Sequence, residues 1–109
     1  MNKQLKFEYN GKEYCLEYTR KTVAEMEKNG FIAEDIKSKP MLMLPELFAG
    51  AFLANHRFVK RDVIDEIYGK LTNKAELIGK LVEMYTEPIQ SLIDEPSEDE
   101  ENLSWTISW

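Results

Sequence analysis

The chain opens on strict alternation. Leu5, Phe7 and Tyr9 are separated by Lys6 and Glu8, and beyond Asn10-Gly11 the pattern resumes at Tyr14 and Leu16. Period two is the signature of a strand with one buried face. Asn-Gly is the favoured pair for a two-residue type I′ turn, because both positions need φ > 0. The pattern predicts a β-hairpin over residues 4–18 in which Tyr9 faces Lys12, Phe7 faces Tyr14 and Leu5 faces Leu16. Leu5, Phe7, Tyr14 and Leu16 then share one face, and Cys15 turns to the other beside Lys6. Two strands alone are not stable in water, so the shared face is expected to pack on helices.

Helical spacing takes over at Thr19, a good N-cap for a helix over residues 20–29 with Val23 and Met26 inward. Gly30 fits the left-handed position after such a helix, with Phe31 as the apolar contact that accompanies it. Residues 31–37 predict a short helical turn, and Ser38-Lys39-Pro40 a break. Residues 41–55 form the most apolar segment, with Leu44, Leu47, Phe48, Ala51 and Phe52 at helical spacing and Pro45 placed in the first turn. Ala49, Gly50, Ala51 and Ala54 keep this central helix thin. A further helix is expected over residues 60–68, burying Val63, Ile64 and Ile67 and ending at Gly69. Asn73-Lys74-Ala75-Glu76 matches a capping box and opens a last helix to about residue 93. Its stripe is Leu77, Ile78, Leu81, Val82, Tyr85, Ile89 and Leu92, with a kink expected at Pro88.

The ending changes the picture. Asp94-Glu95-Pro96-Ser97-Glu98-Asp99-Glu100-Glu101 holds six carboxylates and no base, whereas the chain has 20 acids against 14 Lys and Arg. The net charge of −6 is therefore that of this run alone, and residues 1–93 balance to zero. Asn102 to Trp109 then alternates polar and apolar, with Leu103, Trp105, Ile107 and Trp109 on one face and both tryptophans among them. The expected organisation is a single α+β domain over residues 1–93, an acidic linker over 94–101 and a strand-like apolar segment over 102–109. The domain is a hairpin on a bundle of four to five helices. Leu103, Trp105, Ile107 and Trp109 are the candidate partner-binding residues. They fold back as an edge strand beside the hairpin, dock on a partner's sheet or apolar surface, or stay disordered.

Candidate chemistry is sparse. His56 is the single histidine, which leaves a metal site without its usual ligands, and its position favours an interaction with helix-end carbonyls. Cys15 stands between Glu13 and Glu17, which disfavours a thiolate, and a lone cysteine fits a reducing compartment. Asp62, Asp65 and Glu66 lie beside Arg61 and read as a solvated helix face rather than a catalytic pair. There is no glycine-rich phosphate loop or Ser-His-Asp spacing. No enzyme activity, cofactor or metal is expected. The acidic balance argues against nucleic acid, which demands clustered Lys and Arg. The apolar runs are too broken to span a bilayer, and the first six residues show no secretory leader.

Lys6-Phe7-Glu8-Tyr9-Asn10-Gly11-Lys12-Glu13-Tyr14, then Val23-Ala24-Glu25-Met26-Glu27-Lys28-Asn29-Gly30, then the small-residue helix with Leu47-Phe48-Ala49-Gly50-Ala51-Phe52, give a layout that resembles the small tail assembly chaperones of long-tailed bacteriophages and prophages. The resemblance covers residues 5–93 and brings no catalytic residues. It implies a non-catalytic protein of the bacterial host cytoplasm that binds a tape-measure protein and recruits tail-tube subunits. Self-association through the apolar ending is compatible with it. Two other classes remain: an acidic decoy from a phage or mobile element that occupies a host protein's surface, and a tethered subunit of a larger assembly.

Overall fold

The computed structural model describes residues 3–94 and 103–108. Strands β1 (Leu5–Tyr9) and β2 (Lys12–Leu16) form a two-stranded antiparallel hairpin with Leu5 opposite Leu16, Phe7 opposite Tyr14 and Tyr9 opposite Lys12. The turn is set by Asn10 and Gly11, both at positive φ (51° and 79°). One residue of slip would put Tyr14 and Leu16 into water, and both are buried. This is the register expected from the alternation.

Four α-helices follow: α1 (Arg20–Lys28), α2 (Pro40–Gly50), α3 (Arg61–Lys70) and α4 (Lys74–Ser91), with a 3-10 turn at Ala33–Ile36 ahead of α2. The protein is α+β, a hairpin laid on helices. Thr19 caps α1 as expected. Its hydroxyl accepts the Thr22 N–H while Thr22 Oγ1 accepts the Thr19 N–H, so two orphan amides are met reciprocally. At the other end Phe31 N–H reaches Met26 O (2.9 Å) and Gly30 N–H reaches Glu27 O (3.0 Å) around a positive-φ Gly30. These are the paired bonds of a Schellman end, and Phe31 is buried beside it.

Several boundaries differ from the sequence expectation. The central helix ends at Gly50, not at residue 55, because the amides of Ala51, Phe52 and Leu53 turn back to Phe48, Ala49 and Gly50 and tighten the chain out of the α pattern. Pro40 takes the first helical position, which places Pro45 inside α2 rather than in its first turn. The missing N–H there leaves a carbonyl at the solvent-exposed Met41, where water can meet it. Gly69 lies within α3, which runs on to Lys70. Asn73 precedes α4 but forms no capping box. It sits at φ 55°, ψ 49°, and its side-chain amide donates to Glu76 Oε2 instead of accepting a backbone N–H. Helix α4 continues through Pro88 to Ser91. Its buried face is Leu81, Met84, Tyr85 and Pro88, so Val82, Ile89 and Leu92 of the expected stripe stand exposed.

The core forms where Tyr14, Leu16 and Tyr18 meet the helices. Tyr14 stacks on Phe7 (5.3 Å) and meets Phe52 edge-on (5.9 Å), and Tyr18 meets Tyr85 edge-on (5.4 Å). Val23, Met26, Leu47, Phe48, Ile64, Ile67 and Leu81 complete it. Helix α2 is the hub, packed on α1, α3 and α4. Its thinness is used at Gly50, where an added Cβ would lie 2.4 Å from both Sδ and Cε of Met26.

Candidate functional site

The segment after α2 is what fixes the hairpin. In a hairpin closed at Tyr9–Lys12, alternate residues turn their backbone groups away from the partner strand. On β2 these are Glu13, Cys15 and, just beyond the strand, Glu17, and the last two are met by residues 51–56. Cys15 N–H donates to His56 Nε2 (3.0 Å), Asn55 Nδ2 donates to Cys15 O (3.1 Å) and Glu17 N–H donates to Ala51 O (3.2 Å). The edge of β2 is thereby closed from Cys15 onward without a third strand. His56 was expected at helix-end carbonyls; it is instead a hydrogen-bond acceptor for a strand. Burial, and then the nearby Lys12 charge, hold its pKa below the usual histidine value, which keeps Nε2 free to accept. Its ring also lies 5.0 Å from that of Tyr14. Cys15 is half-buried and takes part through its backbone.

The edge of β1 is different. By the same parity Lys6 and Glu8 turn their N–H and C=O groups outward, and among the described residues no other backbone bonds to them. Both side chains are exposed, and the apolar face beneath them, Leu5, Phe7 and Tyr9, is only half-buried. The ends of the strand are pinned: Lys3 Nζ lies 3.0 Å from Glu83 and 3.5 Å from Glu87 of α4, and Lys70 Nζ lies over the Tyr9 ring.

Of the candidate residues in the ending, Leu103, Trp105 and Ile107 are 92, 81 and 62% exposed. Residues 103–108 have no regular secondary structure and the sheet has two strands among the described residues, so these three side chains are not an edge strand of the hairpin. Trp109, and all of the acidic linker but Asp94, lie outside the described residues. A second apolar feature was not legible in the sequence. A cavity of about 430 Å³ opens between α1 and α2, lined by Met26, Phe31, Leu42, Met43 and Leu53 among others. Two ion pairs frame it, Arg57 with Glu25 in two 2.9 Å bonds and Arg61 with Glu46 at 2.9 Å. The Arg57 hydrogen bond holds the Glu25 carboxyl below its usual range. The spacing turned Met26 inward and set Phe31 at the end of α1 but gave Leu42, Met43 and Leu53 no role, and a space between two helices has no signature along the chain.

Asp62, Asp65 and Glu66 fall on the exposed face of α3, with Asp65 Oδ1 3.3 Å from Arg61 Nε. Among the described residues, no group of three or more His, Cys, Asp or Glu side chains could hold a metal ion, and no helix is long and apolar enough to cross a membrane.

These features define a small α+β protein whose distinctive surfaces are an open strand edge, an apolar groove and an exposed apolar ending. The chain belongs to the family described as "Domain of unknown function (DUF5055)", whose model matches residues 1–109. No curated protein and no solved structure matches it.

Proposed function

We propose that this protein is a non-catalytic assembly chaperone of the phage-tail kind, acting in the cytoplasm of a bacterial host. It holds a long, helical, tape-measure-like chain and recruits tail-tube-like subunits to it. The observation that carries this reading is the exposed Leu103-Trp105-Ile107 face, apolar side chains at strand spacing left in solvent among the described residues. Apolar aromatic anchors left in water mark a surface that meets another protein. The acidic-decoy alternative is weaker because the excess of carboxylates is confined to residues 94–101, while residues 1–93 balance to zero and carry no net acidic face.

The test is light scattering of a purified long helical chain of the tape-measure kind, with and without this protein. The full protein is expected to suppress its aggregation and the Trp105→Ser/Ile107→Ser variant to do so at least tenfold less well. Equal protection by both, or none by either, would remove the tail from the function. Binding that weakens steeply with added salt would favour the decoy, since contacts between apolar surfaces are barely screened.

A further inference from the structure

We infer that the outer edge of β1 is a docking site for the apolar ending of a second copy of this chain, which adds to the hairpin as a third strand. The two halves of the contact are both present and both open. Lys6 and Glu8 turn outward backbone groups that no other described residue pairs, a row that templates strand addition. Residues 103–108 present backbone with period-two side chains and no ladder partner. A strand suits this edge; the groove between α1 and α2 is walled by helices and calls for anchors at helical spacing.

Register follows from side-chain chemistry. In an antiparallel pairing with Trp105 opposite Phe7, Thr106 faces Lys6 and Ser104 faces Glu8, and these are the positions that exchange hydrogen bonds. Leu103 then lies opposite Tyr9 and Ile107 opposite Leu5. Every polar residue meets a polar one, and every apolar residue meets an apolar one on the half-buried face of β1. Trp105 would extend the stack that Phe7 already makes with Tyr14. A slip of one residue would reverse all of these matches.

The donor is a second copy because residues 103–108 do not occupy their own chain's edge: Trp105 stands in solvent while no other described residue pairs Lys6 or Glu8. Such a contact joins unlike surfaces of identical chains. It therefore propagates head to tail rather than closing as a two-fold dimer, so copies line up in a row. The inference does not depend on what the protein holds.

Two variants separate the halves. Glu8→Pro removes an outward N–H that the hairpin does not use, and Trp105→Ser/Ile107→Ser changes only exposed positions. In sedimentation velocity the wild-type mass is expected to rise with concentration to at least twice 12.8 kDa, while each variant alone stays a monomer. Mixing the two variants should restore one-to-one association, because one supplies an intact ending and the other an intact edge. A second readout requires no variant: the Lys6 and Glu8 amides should exchange at least tenfold more slowly in concentrated than in dilute wild-type protein. A wild-type monomer at every concentration would overturn the inference, with shielded tryptophans then indicating docking within one chain and exposed ones no docking. Association that survives in either variant alone, or with those two amides unprotected, would overturn it equally.

Discussion

Tyr18→Phe tests the account of how α2 ends. The Tyr18 hydroxyl is buried and donates to the carbonyl of Leu47, itself fully buried in the last turn of α2. The next three carbonyls are met by the tightening turn, from Ala51, Phe52 and Leu53, whose amides reach back three residues. The Ala51 amide has thus been drawn to Phe48, and the Tyr18 hydroxyl serves Leu47 in its place. The substitution keeps the ring and its edge-on contact with Tyr85, so only the hydrogen bond is lost. Leaving a buried carbonyl unmet costs about 1–3 kcal/mol. For a domain of this size each kcal/mol moves Tm by about 4–8 °C. The assay is a far-ultraviolet circular dichroism melt, since both tryptophans lie in the ending and do not report on the core. Tyr85→Phe is the control, because its hydroxyl makes no hydrogen bond and is not cut off from water. It should stay within about 0.5 kcal/mol of the wild type. The pH dependence adds a signature. Burial, with the Tyr85 neighbour second, raises the Tyr18 pKa well above its ordinary value of 10.0. Stability from the neutral hydroxyl is then complete below about pH 10 and declines above it as the unfolded chain ionises. The gap between Tyr18→Phe and wild type should narrow in that direction. A melt within about 1 °C of wild type at neutral pH would refute the reasoning and mean that Leu47 O has another partner.

Two further outcomes follow from the packing. Gly50→Ala should change stability by less than about 1 kcal/mol, because the added methyl meets the flexible end of Met26, which borders the groove and can turn into it, and the helix-propensity gain offsets that shift; urea midpoints check this, and a loss above about 2 kcal/mol would show that Met26 is held in place. His56 has a lowered pKa, so the folded state resists protonation there, and stability is complete above about pH 6.5 and declines as pH falls toward the folded value. Urea midpoints between pH 7 and 5 should show this loss in wild type, and His56→Gln should flatten it; equal slopes would exclude His56 as its source.

The elements that were legible in the sequence are those whose signal is local. Asn10-Gly11 dictates a turn type, and the turn dictates a register, so the pairing of Phe7 with Tyr14 could be read from residue order alone. Thr19 and Gly30 mark the ends of α1 for the same reason, since each satisfies backbone groups a few residues away. The misjudged positions depend on partners distant in sequence. Residues 51–55 have helical spacing, yet the chain leaves the helix there because Ala51 O and Asn55 are taken by β2. His56 could not be assigned to Cys15, 41 residues earlier, without knowing that the hairpin folds over the end of α2. In α4 the periodicity was right and so was much of the face, with Leu81 and Tyr85 buried and Leu77 and Ile78 packed on the core, but its edge was misplaced. Both Val82 and Met84 fit an apolar stripe, and the direction from which α1 and α2 approach selects Met84. The exposed apolar ending was legible as a pattern, while the groove between α1 and α2 was not, because it exists only between helices.

The two edges of the hairpin show how the candidate site follows from folding constraints. A two-stranded sheet leaves both edges unpaired, and an unpaired edge invites association with another chain. On β2 the fold reduces that hazard to the single outward residue Glu13 with a loop: Ala51, Asn55 and His56 meet Cys15 and Glu17. Residues that a search for catalysis would single out, the lone histidine and the lone cysteine, are accounted for by that closure. On β1 nothing comparable is done among the described residues. The exposed positions there are Lys6 and Glu8, of opposite charge, which blunt the edge in a dilute monomer. Such a pair does not exclude a strand that brings Ser104 and Thr106 to face it. An edge blocked by proline or by like charges would exclude any strand, and an edge of apolar residues would accept many. This edge discriminates by asking for alternation with apolar residues on the correct face. Leu103, Trp105 and Ile107 meet that requirement.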